Sequence, residues 1–361
     1  MKKEVQGILI ITAILACVGI VMVYSSSSCY AYERYNDSAF YLKRHLVHFI
    51  IALAAASLAV RFDYRKIRGR AKALLGIAAL SLLLVLVPGI GHEAGGAKRW
   101  FRLGGLGFQP SEFAGLFLII YLADVLERKQ LHVRDFLRGF VPPLVVSGGV
   151  ILFILAQPDL GTAIMLSLVF LIMMFASGAN MMHLAPFAGL SVPALYFLIF
   201  RVPYRLRRIV GYLDPWSKSQ DAGFQIVQSF LALGSGGVFG LGLGASRQKL
   251  FYLPQAHTDF IFSIIGEEMG LVGTLGIVLL FAALIWLGIR VSMNARDLFG
   301  KFLALGISVS IGLKAIINIA VSTGAIPTKG LPLPFISYGG TALICNIVGV
   351  ALLLNIANRN A

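Results

Sequence analysis

The sequence predicts an all-α polytopic membrane protein, and three observations carry that prediction. Of its 361 residues 58% are apolar and only 13% charged, with mean hydropathy +0.84, whereas about a quarter of the residues in a soluble domain are charged. Apolar runs of about 15 to 25 residues recur ten times, each near the length a helix needs to cross a hydrocarbon layer. Lys and Arg fall unevenly between alternate connections, which sets an orientation.

The runs lie at 7–24, 46–60, 73–90, 112–126, 141–156, 160–176, 183–200, 260–289, 302–321 and 341–356, giving about ten transmembrane helices in a single domain over residues 1–361. Met1-Lys2-Lys3 precedes the first run as in a signal peptide, but no small-x-small site closes it, so it reads as a retained anchor. With the N-terminus inside, inner segments hold sixteen of the 31 Lys and Arg and the short outer loops hold seven, which places both termini in the cytoplasm. One long outer loop, residues 201–258, joins the seventh and eighth runs. It carries Arg201, Arg205, Arg207, Arg208, Lys218, Arg247 and Lys249 against only Asp214 and Asp221, which suits lipid headgroups or an anionic substrate. No nucleic-acid module accompanies the net charge of +15, so that partner is discounted. Cys17, Cys29 and Cys345 lack disulfide or metal spacing.

Between the third and fourth runs, GGAKRWFRLGGLGFQPSEF sets Trp100 and Phe101 among Lys98, Arg99 and Arg102, as at a membrane interface. Gln109-Pro110-Ser111-Glu112 reads as a helix start with Ser111 as a cap. In the turn at 157–162, Pro158 ends one helix and Asp159 caps the next. Inside the long loop, residues 223–233 have apolar side chains at helical spacing and fit a helix lying flat on the membrane surface. Five glycines between 236 and 244 follow, a weak phosphate-cradling pattern ahead of Ser246-Arg247-Gln248-Lys249.

At HTDFIFSIIGEEMG, residues 257–270, the boundary between water and hydrocarbon falls on His257-Thr258-Asp259. Asp259 reads either as a helix cap or as a carboxylate kept where it stays wet. Glu267 lies roughly 80° round the helix and about 12 Å deeper, and Glu268 faces the opposite side. In the ninth run Lys314 requires a partner or a polar cavity, and Asn318 shares its face one turn on. PTKGLPLPFISYGG, residues 327–340, holds too much Pro and Gly for helix; such backbone at membrane depth lines a cavity or packs within protein.

Together HTDFIFSIIGEEMG, PTKGLPLPFISYGG, FQPSEF, QPDLGTA and SRQKLFYLP resemble the SEDS family (shape, elongation, division and sporulation) of bacterial cell-wall synthesis, over essentially the whole chain. PTKG and IIGEE are more similar to its division branch than to its elongation branch. The resemblance implies a peptidoglycan glycosyltransferase that polymerises lipid II on the outer face of the cell membrane at the division septum. It also implies a class B penicillin-binding protein transpeptidase and other division proteins as partners. It assigns the essential acid to Asp259, and polar positions near the cavity to Lys98, Arg99, Glu112, Asp159, Ser246, Arg247, Lys249, His257, Thr258, Glu267, Lys329 and Ser337. Two positions depart from the family pattern: Gly115 stands where Lys is usual, and Lys314 where Gln is common.

On that reading Asp259 is the general base for the incoming sugar hydroxyl. Arg247, Lys249 and Lys329, followed by Lys98 and Arg99, neutralise the departing pyrophosphate, and Mg²⁺ or Mn²⁺ bridges it to Asp259. Ser246, His257, Thr258 and Ser337 complete the substrate contacts, while Glu112, Asp159 and Lys314 support them. Glu267 packs, or pairs with Lys314, rather than reacting. Two alternatives stand: a lipid II flippase, weakened by the lack of an inverted repeat and by polar residues crowding the outer boundary, and a non-enzymatic scaffold that recruits the division synthase.

Overall fold

Each of the ten apolar runs forms a helix of its own, because without water only internal i to i−4 bonding satisfies the backbone. The computed structural model describes residues 2–94, 97–103, 106–250 and 252–359; Gly95, Gly96, Gly104, Gly105 and Phe251, from the motifs above, lie outside them. The chain opens with α1 (Lys2–Tyr35), α2 (Phe40–Arg61), a single turn α3 (Tyr64–Arg68) and α4 (Ala71–Leu84). After a small hairpin come α5 (Pro110–Arg128), α6 (Val141–Ala156), α7 (Leu160–Ala176) and α8 (Met181–Phe200). Two extra helices, α9 (Pro203–Leu213) and α10 (Phe224–Ser235), precede α11 (Ile261–Met293), α12 (Leu298–Ser322) and α13 (Gly340–Arg359). Seven helical segments among the described residues are long and apolar enough to cross a membrane, and α4, α7 and α10 are shorter apolar helices.

Burial separates centre from rim. The most apolar stretch of α13 is 89% buried and that of α12 61%, against 17% for α2 and 7% for α8. α5 is also buried nearly all round, which places its charged Glu112 and Asp124 inside the bundle and obliges them to find partners. The outer helices turn Leu190, Phe197 and Ile50 outward, as a lipid solvent allows.

Three features depart from the sequence expectation. Between α4 and α5, where the sequence showed only an interfacial pattern, three short strands pair antiparallel, β1 (His92–Ala94), β2 (Ala97–Leu103) and β3 (Leu106–Phe108). α10 does not lie flat: Ser229 Oγ meets Ser263 Oγ at 2.6 Å and donates to the Ser322 carbonyl, so the helix packs along α11 and α12. Hydroxyls that would be stranded in hydrocarbon bond to one another instead.

The third is a break in α11 at Gly270, whose φ of 67° and ψ of −163° suit only glycine. The Gly-rich strand that follows α10 fills the break. Leu241 and Gly242 N–H groups donate to the Glu267 and Glu268 carbonyls, and Leu271 and Val272 donate to the Gly237 and Val238 carbonyls. A Cβ at Gly240 would stand 2.2 Å from the Glu268 carbonyl oxygen, so the approach needs glycine. The stretch at 201–258 thus holds two helices and a segment that pairs with the backbone of α11. Its glycines serve backbone pairing rather than phosphate binding.

Candidate active site at the membrane boundary

The turn at 257–259 is held against the irregular segment that follows α12. Ser337 Oγ donates to the Thr258 carbonyl at 2.6 Å, the Tyr338 N–H donates to the His257 carbonyl at 2.9 Å, and Asn318 Nδ2 donates to the carbonyls of Asp259 and Leu331. The Ser337 hydroxyl is therefore spent on the backbone, accepting also from the Leu333 N–H, while Thr258 Oγ1 donates to Gln255 Oε1 at 2.9 Å. The segment's interior residues Leu331, Leu333, Phe335 and Ile336 are buried, as irregular backbone in a membrane protein requires.

Asp259 does not cap a helix. Phe260 occupies the N-cap of α11 without a side-chain bond, and among the described residues the Asp259 carboxylate makes no hydrogen bond or ion pair. It is half-buried and lies against Gly330, where a Cβ would come within 3.0 Å of Oδ2. Burial pushes its carboxyl up to about 6; Arg208 and Arg99 pull the other way, and Asp159 adds to the rise.

The cations beside it differ in part from those expected. Arg208 of α9 donates to the Thr328 carbonyl at 2.9 Å and stacks on Tyr204, which docks α9 over the 325–328 stretch together with the Tyr212 to Ala325 bond. Arg99 of β2 donates to the Gln157 and Pro158 carbonyls and lies 3.8 Å from Asp159 Oδ2. Asp159 caps α7 through the Thr162 N–H and hydroxyl, as expected, and burial pushes its carboxyl up. Lys329 is half-buried beside Gly330, and burial pulls its ammonium down. Lys98 is exposed on the same strand as Arg99, opposite Glu93. His257 packs among Tyr30, Tyr41 and Tyr338 and is pulled down to about 4, so it is a neutral ring near neutral pH rather than an anion-binding cation.

One layer deeper, Lys314 Nζ lies 2.6 Å from Glu112 Oε2 and 3.4 Å from Asn346 Oδ1. They line a cavity of about 20 Å³, enough for one water, together with Gly115 and Thr162. The two departures from the family pattern meet here. The ammonium beside Glu112 comes from α12, while position 115 on the same wall carries no side chain.

Glu267, Ser246 and Lys249 form a separate buried knot. Glu267 accepts from the Ser246 hydroxyl and from the N–H groups of Arg247 (2.8 Å) and Gln248 (3.3 Å). Glu268 is 2.9 Å from Lys249 Nζ and accepts from Ser25 Oγ at 2.7 Å. Lys249 is thus committed to a carboxylate and to the Gly244 carbonyl, and Glu267 pairs neither with Lys314 nor with Asp259. The backbone of Arg247 is fixed at the level of Glu267, roughly 12 Å along α11 from Asp259, and its side chain is exposed. Sequence reasoning named Arg208 only among the loop cations and not beside Asp259, and it missed Asn318 as a clamp, Gly330, Asn346 and the Ser25–Glu268 bond. Only Arg208 left a local sign, since Tyr204, Arg208, Gly211 and Tyr212 share one face of an amphipathic helix.

A carboxylate free of structural duty, beside two guanidinium groups at one end of a helical bundle, marks the candidate site of a polytopic membrane protein. The chain belongs to the cell cycle protein family of FtsW, RodA and SpoVE, whose profile matches residues 6–361. It is 47% identical over 361 residues to the probable peptidoglycan glycosyltransferase FtsW of Geobacter sulfurreducens, covering 99% of this chain and 97% of that one. It is 43% identical over 350 residues to the stage V sporulation protein E of Bacillus subtilis, covering 97% and 96%. Among solved structures it is similar to a chain described for the structural coordination of polymerization and crosslinking by a peptidoglycan synthase complex, with a TM-score of 0.79, 28% identity and 98% of each chain covered. The rod shape determining protein RodA of Thermus thermophilus matches with a TM-score of 0.72 at 28% identity, over 98% of this chain and 96% of that one.

Proposed function

We propose that the chain is a peptidoglycan glycosyltransferase that polymerises lipid II at the outer membrane face during cell division, both termini being cytoplasmic. The observation that carries the reading is the uncommitted Asp259 carboxylate, lifted by burial to a proton affinity suited to a base and set beside Arg208 and Arg99. A sugar hydroxyl of one lipid II attacks the anomeric carbon of another; Asp259 accepts the hydroxyl proton as the new C–O bond forms. The bond from that carbon to the lipid pyrophosphate breaks, and Arg208, Lys329 and Arg99 face the charge that develops on the leaving group. Arg247, exposed on the returning segment, would meet substrate farther along the surface.

Among the described residues no group of three or more His, Cys, Asp or Glu is disposed to hold a metal. Asp259 is the residue that would hold a Mg²⁺ or Mn²⁺ in this reading, as a single carboxylate beside substrate oxygens. Bound there, it would supply charge neutralisation to the pyrophosphate. A class B penicillin-binding protein is the proposed partner, and the septum the proposed location.

The test is polymerisation of labelled lipid II by purified protein with its transpeptidase partner. Asp259→Asn keeps the side-chain shape and is expected to abolish glycan strands while leaving partner binding intact. Full activity in that variant would remove Asp259 from the chemistry. Transbilayer movement of lipid II without polymer would favour the flippase, and neither activity the scaffold.

A further inference from the structure

A second cavity, of about 460 Å³, lies between α4, α5 and α6. Its α5 residue, Tyr121, is nine positions along the helix from Glu112, about 14 Å, so it is distinct from the site above. On α4 the lining falls at positions 72, 75, 76 and 79, a single helical face about 10 Å long. Leu75, Ala79, Val150 and Phe153 make the walls apolar.

The groove exists because two side chains are missing from it. Cβ atoms built on Gly76 and on Gly149 would meet nothing within 4 Å. At one end α4 and α6 are clamped by the bond from Gln157 Nε2 to the Leu82 carbonyl, 3.0 Å.

The other end is polar and cationic. Arg68, at the end of α3 just ahead of α4, lies 3.5 Å from Asp124 of α5. Lys72 of α4 and Tyr121 of α5 both line the groove. Arg68 and Arg128 are committed to Asp124 and Glu127, but Lys72 and its neighbour Arg70 are exposed, with no carboxylate partner among the described residues.

We propose that this groove is a binding site for one anionic phospholipid of the inner leaflet. An acyl chain lies between Gly76 and Gly149, the phosphate sits on Lys72 with Arg70 beside it, and the Tyr121 hydroxyl donates to an ester carbonyl. A hydrocarbon chain fits a long apolar slot open toward lipid, and the unpaired ammonium at its mouth selects a negative headgroup. The occupant braces α4 against α6 at the end away from the Gln157–Leu82 bond.

The proposal is tested by native mass spectrometry of the full chain released from nanodiscs containing equal amounts of phosphatidylglycerol and phosphatidylethanolamine. The wild-type chain is expected to retain phosphatidylglycerol preferentially, and Lys72→Gln to lower that preference about tenfold. Gly76→Leu combined with Gly149→Leu is expected to fill the slot and release lipid of both kinds, with unchanged melting in lipid-free detergent. Equal retention of the two lipids by the wild type overturns the assignment, as does undiminished retention in the filled variant. Adding a polyprenyl phosphate to the same nanodiscs gives a third reading, and its preferential capture also overturns the phospholipid assignment. Lys72 is exposed, so its variant keeps the proposal falsifiable even if the double glycine replacement fails to fold.

Discussion

Asn318 Nδ2 donates to the Asp259 carbonyl at 2.9 Å and to the Leu331 carbonyl at 2.8 Å, so one buried amide joins the start of α11 to the segment that carries Lys329 and Gly330. Asn318→Ala leaves both carbonyls without that donor, at a cost of about 1 to 3 kcal/mol. Thermal unfolding in detergent should register that loss. Lipid II polymerisation should fall more steeply, by about tenfold or more, because the cations and the carboxylate are no longer held in register. Equal polymerisation by Asn318→Ala and wild type would show that the clamp serves stability alone.

The pH dependence should carry the mark of burial at Asp259. A base whose carboxyl is raised to about 6 is in its active, deprotonated form above that pH and loses it as pH falls through it. kcat/KM should therefore drop with a midpoint near 6, whereas a carboxylate of ordinary acidity would hold activity down to about 4. A midpoint near 4 in the polymerisation assay would contradict the role.

Gly330 is a steric neighbour of the reaction rather than a hinge. An added Cβ would stand 3.0 Å from Asp259 Oδ2, so Gly330→Ala crowds the face of the carboxylate that meets substrate. Gly330 is exposed, so melting should shift little while kcat falls about tenfold. A change in melting equal to that of Asn318→Ala would assign the glycine to folding instead.

The Glu112–Lys314 pair should behave as a buried ion pair does. Removing either partner alone, as in Glu112→Gln or Lys314→Met, strands a charge and should cost about 3 to 5 kcal/mol, while removing both should cost less than either. Moving the ammonium is a sharper trial. Gly115 lies one turn from Glu112 and lines the same cavity, and a Cβ there would meet only the Leu166 side chain, at 3.3 Å. Gly115→Lys with Lys314→Gln should restore much of the stability lost in Lys314→Gln alone, measured by unfolding in detergent.

The sequence by itself determined the membrane class, the helices formed by its apolar runs and the need of Lys314 for a partner. These are local matters: lipid as solvent demands long apolar helices, and the cost of a stranded charge is the same wherever its partner lies in the chain. Only the tertiary structure decided which charges meet. Lys314 finds Glu112 at a separation of 202 residues, Lys249 is absorbed by Glu268 instead of facing substrate, and Arg208 takes a place beside Asp259 that no motif announced. The glycines after α10 gave the same lesson, since their carbonyls and N–H groups complete a helix broken some thirty residues later. Helical periodicity specifies a face, but the neighbour that fills it depends on how the helices pack, and no single stretch of sequence encodes that packing.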